Sequence, residues 1–93
     1  MTKTYHLYII TNKINSVVYI GVTNNIQRRI YEHKNKLVDG FSKKYNLTKL
    51  VYTQEFGSIY EAITCEKKLK KYSRKKKNVL IEEVNKNWNE IEL

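Results

Sequence analysis

Proline is absent from this sequence of 93 residues, and glycine occurs only three times. With so few breaking residues, a loop-rich or low-complexity protein is excluded and tightly joined helices and strands are expected. The single cysteine, Cys65, can form neither an internal disulfide nor a thiolate metal site. No apolar run approaches the roughly 18–20 residues that span a bilayer, and the amino terminus lacks the features of a signal peptide. A soluble, cytoplasmic protein without a membrane partner is therefore expected.

Positive charge is what the chain has in excess. Eighteen Lys and Arg residues face nine Asp and Glu, which gives a net charge of +9. Between Lys67 and Lys77, eight of the eleven residues are basic and none is acidic. Such clustering predicts a polyanionic partner, most simply nucleic acid. The alternative is a positive surface that serves only solubility.

Three segments rich in β-branched and aromatic residues predict strands: Thr4–Asn12, Val17–Val22 and Leu50–Phe56. Helices are expected after the candidate caps at 23–25, from Ser58 to about Tyr72, and from Ser73 onward. The segment Asp39–Lys49 is expected to be a loop with room for one helical turn. We predict a single domain, residues 1–93, of the α+β class. A three-stranded antiparallel β-sheet is flanked by helices in the order β-β-α-β-α-α.

The first helix is expected to carry polar groups on its inward face. Its stripe at helical spacing is formed by Ile26, Ile30, His33 and Leu37. At roughly 100° per residue, Arg29 lies at the margin of this stripe and Arg28 points away from it. A histidine in such a position is more often a hydrogen-bonded core residue than a functional one.

The second long helix shows a similar anomaly. Glu66 falls on the inward stripe formed by Ile59, Ala62 and Ile63, whereas Glu61 faces outward. A carboxylate on a core-facing stripe costs several kcal/mol unless it is paired or binds a metal. Lys70 lies near the same stripe, so a glutamate at the rim of the core, paired with a lysine, is the simpler alternative. Together, inward Tyr, Arg, His and Glu side chains in a basic protein fit phosphodiester chemistry.

Four stretches in this order resemble the GIY-YIG nuclease superfamily, most of all its small stand-alone members with a URI-type domain. They are "LYI" (Leu7–Ile9), "YIG" (Tyr19–Gly21), "RRIYEH" (28–33) and "EAITCEKKLK" (61–70). The resemblance covers nearly the whole chain and implies the fold predicted above. It also implies a set of catalytic residues: Tyr8, Tyr19, Arg29, His33 and Glu66. The resemblance further implies that Glu66 is the metal ligand and that Mg²⁺ or Mn²⁺ is the cofactor.

Two positions depart from the family pattern or are hard to align. The glycine that opens the first half-motif is His6 here, and the late asparagine of the family is placed at Asn85 as a candidate phosphate-positioning residue. Gly21 is expected to allow a sharp exit of the chain that brings Tyr19 and Arg29 to one pocket.

The resulting hypothesis is a metal-dependent endonuclease that hydrolyses phosphodiester bonds, in DNA more readily than in RNA. Its basic residues are expected to bind the backbone without reading bases. The candidates for this contact are Lys34, Lys67, Lys71, Arg74, Lys75 and Lys76. Either tyrosine could activate the water, with His33 sharing the proton transfer. The alternatives are a catalytically inactive nucleic-acid-binding module of the same fold and a module that binds an acidic protein.

Overall fold

Three strands form one antiparallel sheet in the computed structural model, which describes residues 3–93. The strands are β1 (Tyr5–Thr11), β2 (Val18–Thr23) and β3 (Lys49–Phe56). β1 lies in the centre, between β2 and β3, and both pairings are antiparallel. The predicted three-stranded antiparallel sheet is confirmed, and every predicted strand end lies within one residue of the observed one.

Four helices flank this sheet: α1 (Ile26–Lys34), α2 (Phe41–Lys44), α3 (Ile59–Lys70) and α4 (Arg74–Val84). Side-chain oxygens of Asn25, Ser58 and Ser73 accept backbone N–H bonds at the starts of the three longer helices. The single turn α2 lies in the segment expected to be a loop, so the order is β-β-α-α-β-α-α. No helix within residues 3–93 is long and apolar enough to cross a membrane.

Residues of β1 alternate between two faces of the sheet, and each face has its own core. Leu7 and Ile9 belong to what we call the α4 face, whereas Tyr8 and Ile10 belong to the α1 face. The buried residues of the α4 face are Leu7, Ile9, Ile20, Val51, Tyr52, Leu69, Ile81 and Trp88. Those of the α1 face are Tyr8, Ile10, Ile30, Leu47 and Leu50. The sheet is therefore covered on both sides.

The carboxyl-terminal tail passes from one face of the sheet to the other along the outer edge of β3. Trp88 is buried on the α4 face, whereas Ile91 packs on the α1 face. The Ile91 N–H donates to the Leu50 carbonyl at 2.8 Å, and the side chain of Asn85 donates to the Val51 carbonyl at 2.9 Å. The tail thus occupies hydrogen-bonding groups of an edge strand that would otherwise be open to another chain.

Leu37 does not continue the inward stripe of α1, and this prediction was wrong. Its side chain is 63% exposed. The helix ends at Lys34 because Lys36 adopts a left-handed conformation, with φ at 56°. The Leu37 N–H then donates to the Glu32 carbonyl at 2.8 Å, and the Lys36 N–H donates to the His33 carbonyl at 3.1 Å. These two bonds are the Schellman pattern that closes a helix.

Candidate active site on the alpha1 face

A buried chain of hydrogen bonds runs from β1 through α1 to α2. The Tyr8 hydroxyl lies 3.0 Å from His33 Nε2, and His33 Nδ1 lies 3.0 Å from the Ser42 hydroxyl. All three residues are buried. Both ring nitrogens of His33 therefore have partners inside the protein, which fixes the orientation of the imidazole next to the phenol. This arrangement can pass a proton between Tyr8 and His33.

Gly21 makes room for the Tyr8 ring. It lies within β2, directly opposite Tyr8 in the sheet register. A Cβ atom at this position would come within 2.5 Å of Cζ and of the hydroxyl oxygen of Tyr8. The expectation that Gly21 provides a sharp exit of the chain was wrong, because the strand continues to Thr23. The missing side chain instead lets the phenol lie flat over the neighbouring strand on its way to His33.

Tyr19 lies beside Tyr8 on the same face but is less deeply buried. Its ring centroid is 6.4 Å from that of Tyr8 and 6.1 Å from that of His33. On its other side the ring meets Phe41 of α2, at 6.2 Å between centroids. The two tyrosines of the half-motifs are thus brought together, one buried and one at the surface.

The two adjacent arginines of α1 differ as the helical count predicted. Arg28 is exposed, whereas Arg29 is half-buried on the side that faces the site. Arg29 lies 3.6 Å from Glu32 in an ion pair whose side chains are more than 30% exposed on both sides. Solvent screens such a pair, so the guanidinium can exchange Glu32 for a phosphate at little cost.

Glu66 reaches the site from α3. Its side chain is only 20% exposed and forms an ion pair with Lys70 at 3.5 Å. The ammonium group of Lys70 also lies 5.9 Å from the centre of the Tyr19 ring. Lys70 therefore connects the carboxylate to the tyrosine pair, while Glu61 on the same helix is exposed, as expected.

The donor set around Glu66 fits a hydrated Mg²⁺ or Mn²⁺ better than a metal held only by protein. Within residues 3–93, no three His, Cys, Asp or Glu side chains converge on one point. Mg²⁺ keeps several waters and is commonly held by one or two carboxylates together with substrate phosphates. The Glu66 carboxylate, which is 20% exposed and paired with the half-exposed Lys70, meets that requirement.

The site shifts the pKa values of two of its members in opposite directions. Burial is the main cause that raises the pKa of Tyr8, and the neighbouring Tyr19 raises it further. The positive charge of Arg29 lowers this pKa, whereas the negative charges of Glu66 and Glu32 raise it. Burial lowers the pKa of His33, and Arg29 lowers it further. Near neutral pH the phenol is therefore protonated and the imidazole neutral, so His33 can accept a hydrogen bond from the Tyr8 hydroxyl.

The predicted backbone-binding residues fall into two groups. Lys34, Lys67, Lys71, Lys75 and Lys76 are exposed. Lys34 is held by Glu90 at 3.0 Å. Arg74 serves the fold: its guanidinium donates to the Asn15 and Ser16 carbonyls of the β1–β2 turn and lies 5.7 Å from the centre of the Trp88 ring. We therefore expect the lysines rather than Arg74 to contact a polyanion.

Asn85 ends α4 and is engaged by backbone groups. Its amide nitrogen donates to the carbonyls of Val51 and Asn89 at 2.9 and 2.8 Å, and its oxygen accepts from the Asn89 N–H at 2.9 Å. These bonds hold the tail against β3. In this structure the side chain therefore stabilises the fold, and its assignment as a phosphate-positioning residue stays a prediction.

Ser42 and Lys70 contribute to the site but were not among the predicted functional residues. Ser42 lies in a four-residue helix, which is too short to show a helical period. Lys70 was expected near the inward stripe, and the pairing of Glu66 with a lysine that was considered there is observed, since residues four apart on a helix are neighbours. The clefts found by shape, such as the one between His6 and the start of α1, contain none of the predicted catalytic residues.

A small α+β domain that places tyrosine, histidine, arginine and glutamate side chains on one open, basic face has the architecture of a nuclease. The model of the GIY-YIG catalytic domain matches residues 4–78, which include all five predicted catalytic residues but not Asn85. The chain belongs to the GIY-YIG family, a family of nucleases.

Its relatives include small proteins of similar length. A UPF0213 protein of Staphylococcus haemolyticus is 39% identical over 87 residues, which cover 89% of this chain and 99% of that protein. The UPF0213 protein YazA of Bacillus subtilis is 32% identical over 82 residues, covering 88% and 82%. The solution NMR structure of a UPF0213 protein from Bacillus halodurans superposes with a TM-score of 0.59 at 29% identity and covers 91% of this chain and 89% of that one. The α+β fold is thus shared with a solved structure.

Proposed function

We propose that this protein is a divalent-metal-dependent endonuclease that hydrolyses phosphodiester bonds in DNA. The observation that carries the proposal is the buried hydrogen bond between the Tyr8 hydroxyl and His33 Nε2, with Arg29 and Glu66 close enough to shift the pKa of Tyr8. A domain that only bound nucleic acid would gain nothing from burying this phenol–imidazole pair, and burial of polar groups is costly. Membership of a nuclease family supports the same conclusion.

In the proposed reaction, Tyr8 is the general base and His33 receives its proton. The Ser42 hydroxyl accepts the Nδ1–H of His33, which leaves Nε2 free to accept from the Tyr8 O–H. As water attacks phosphorus, Tyr8 takes a proton from the water and passes its own proton to His33. The bond from phosphorus to the leaving oxygen breaks, and that oxygen takes a proton from solvent.

The residues at the surface of the site would neutralise the negative charge of the scissile phosphate. Arg29 leaves Glu32 and binds two phosphate oxygens with its planar guanidinium. Glu66 would hold Mg²⁺ or Mn²⁺, and the ion would supply positive charge for the leaving oxygen. The pKa of Tyr8 is raised in the protein alone. Further positive charge beside the phenol, from Arg29 once it leaves Glu32 and from a cation that Glu66 would hold, would lower that pKa.

The lysines at the end of α3 and the start of α4 would bind neighbouring phosphates without reading bases. Lys67, Lys71, Lys75 and Lys76 are exposed for this contact. We therefore expect affinity to fall steeply with salt and to depend little on sequence.

A cleavage assay with a matched pair of glutamate variants tests the proposal. Glu66→Ala is expected to cleave DNA at least about 100-fold more slowly than wild type in Mg²⁺ or Mn²⁺, and EDTA is expected to stop the wild-type reaction. Glu61→Ala, on the exposed side of the same helix, is the control and should cleave normally. Equal rates for wild type and Glu66→Ala would refute the assignment. Binding without cleavage in either metal, unaffected by EDTA, would instead support the inactive binding module.

A further inference from the structure

Three aromatic rings form a continuous row that leads from the site to the surface. Tyr19 lies at the inner end, Phe41 follows at 6.2 Å between ring centroids, and Tyr45 lies 4.7 Å beyond Phe41. Phe41 is 47% exposed and Tyr45 is 39% exposed. Single exposed hydrophobic residues are ordinary on protein surfaces, but a contiguous row of aromatic rings is characteristic of a binding surface.

The segment that carries the outer two rings is anchored from inside. Ser42, between Phe41 and Lys43, is buried and bonds to His33, and Leu47 is fully buried. The Leu47 N–H donates to the Ser42 carbonyl at 2.9 Å, which closes α2. Phe41 and Tyr45 are four residues apart and therefore lie on one side of this turn. The outer rings are held in fixed register with the Tyr8–His33 pair rather than on a flexible loop.

Positive charge flanks the row on both sides. The Lys44 ammonium lies 5.4 Å from the centre of the Tyr45 ring, and the Lys70 ammonium lies 5.9 Å from that of Tyr19. Lys43 is half exposed beside them, in a weak pair with Asp39 at 3.5 Å. Aromatic rings alternating with lysines suit a strand that offers bases to the rings and phosphates to the ammonium groups. An apolar or acidic protein surface would satisfy only one of these two features.

The geometry points to a base-stacking platform formed by Tyr19, Phe41 and Tyr45, which binds unpaired bases of single-stranded DNA next to the scissile phosphate. This inference rests on the proposed nuclease function and adds a substrate class to it. In a duplex each base face is covered by its neighbours in the stack, so only an unpaired base can lie on an aromatic ring. The enzyme is therefore expected to prefer single-stranded DNA, or frayed and unpaired segments, over an intact duplex.

Binding without turnover tests the platform separately from catalysis. Fluorescence anisotropy of a labelled 12-nucleotide single strand, measured in EDTA, reports affinity while cleavage is blocked. Phe41→Ala and Tyr45→Ala are each expected to weaken binding by about fivefold to 100-fold, the range measured for loss of one base-stacking residue. A duplex of the same sequence should bind these variants and wild type equally. Tyr60→Ala is the matched control, since Tyr60 is 80% exposed on α3 and does not belong to the row.

Phe41→Trp keeps an aromatic surface and provides a direct signal. Its added indole fluorescence, compared with wild type containing only Trp88, should be quenched by the single strand and not by the duplex. Retention of wild-type single-strand affinity by both Phe41→Ala and Tyr45→Ala would overturn the platform. So would a self-associating wild type that Phe41→Ala renders monomeric with unchanged DNA binding, which would identify the row as a contact between copies of the chain.

The outcomes separate the two proposals. Loss of single-strand affinity in Phe41→Ala, in a protein that never cleaves DNA with Mg²⁺ or Mn²⁺, would retain the platform and refute the nuclease. Metal-dependent cleavage that Glu66→Ala abolishes, together with unchanged binding by Phe41→Ala, would retain the nuclease and refute the platform.

Discussion

The α4 face and the α1 face are built from alternate residues of the same strands, yet they differ in what they bury. On the α4 face, Leu7, Ile9 and Ile20 pack against apolar residues of α3, α4 and the tail. On the α1 face, the corresponding residue of β1 is Tyr8, which lies between Leu7 and Ile9 in the sequence. Its hydroxyl is hydrogen-bonded to His33, and His33 is hydrogen-bonded to Ser42. One face therefore supplies mainly apolar burial, while the other carries a buried chain of polar side chains.

This difference shows how a small chain can hold a buried set of polar groups. A domain of this length has little surplus stability, and burying a phenol, an imidazole and a hydroxyl is unfavourable unless each finds a partner. The α4 face, together with Ile10, Leu47 and Leu50 on the α1 face, keeps the strands in place. The polar chain can then be oriented for reaction instead of for maximum stability. Substitutions at equivalent positions on the two faces test this difference.

Removing one hydroxyl from each face should give the largest contrast. Tyr8→Phe keeps the ring over Gly21 but removes the group proposed as the base, so we expect cleavage to slow by about 10²–10⁴-fold. Tyr52 is a buried tyrosine on the α4 face whose hydroxyl donates to Gln54 at 3.0 Å. Tyr52→Phe removes this hydroxyl and should leave the cleavage rate unchanged. Single-turnover cleavage measures both. Urea denaturation should show a loss of about 1–3 kcal/mol of unfolding free energy for Tyr8→Phe, because His33 Nε2 is left buried without its partner. The loss for Tyr52→Phe should be no more than about 1.5 kcal/mol.

Adding one methyl group opposite Tyr8 should have the next largest effect. Gly21→Ala places a carbon 2.5 Å from the phenol, and forced overpacking costs about 1–3 kcal/mol of unfolding free energy. Displacement of the ring should also break its bond to His33 and reduce cleavage. Gly57→Ala is the control, because a Cβ there meets nothing within 4 Å. Thermal or urea unfolding measures the cost, which should shrink when Gly21→Ala is made in a Tyr8→Leu background; a cost that persists there would locate the strain elsewhere.

Lowering the pH should reduce the unfolding free energy through His33 on the α1 face, by less than the substitutions above. The pKa of His33 is lowered in the folded protein by burial and by Arg29, so the unfolded chain binds more protons once pH falls below about 6.5. The stability contributed by neutral His33 is complete above that pH and is lost as pH decreases, at no more than about 1.4 kcal/mol per pH unit. Urea denaturation of wild type between pH 7.5 and pH 5 should show this slope.

The His33→Asn variant isolates the histidine in that experiment. It retains a neutral polar side chain, and His6 is present in both proteins. The variant should show a flatter pH dependence across the same interval. Parallel slopes in the two proteins would mean that His33 is not the group responsible.

The smallest effect is expected from single lysines on the two flanks of α3. Lys67 is one of the exposed lysines proposed to contact the backbone, whereas Lys68, also exposed, lines a separate cleft with Tyr60 and Cys65. Lys67→Ala should weaken DNA binding a few-fold and reduce the slope of log affinity against log salt by about one. Lys68→Ala should change neither. Titrations at several salt concentrations measure both, and equal losses would show that the whole helix end acts as one diffuse charge.

Local patterns predicted much of this molecule. The strands followed from β-branched and aromatic runs, and the different exposure of Arg28 and Arg29 followed from helical periodicity, which depends only on neighbouring residues. Leu37 was misplaced because α1 closes through a lysine in a left-handed conformation, at Lys36, where glycine is the usual signal. The apolar spacing in the sequence continues to Leu37, whereas the helix ends at Lys34.

Contacts between distant segments were harder to predict. Ser42 was missed because its partner His33 belongs to another helix and α2 is a single turn. The steric role of Gly21 requires the register that pairs it with Tyr8, and that register depends on how the β1–β2 turn is closed by Asn12 and Asn15. Composition showed that the segment from Lys67 to Lys77 was basic but not that Arg74 holds this turn.

The close approach of Tyr8 to Gly21 also has a consequence for how the two positions evolve. The ring of Tyr8 fills the volume that any side chain at position 21 would need, so the two positions form one steric unit divided between two strands. A lineage that keeps the tyrosine cannot gain a side chain at position 21 without a compensating change, and a lineage that loses the ring is released from the glycine. Substitutions at these two sites are therefore expected to arise in pairs.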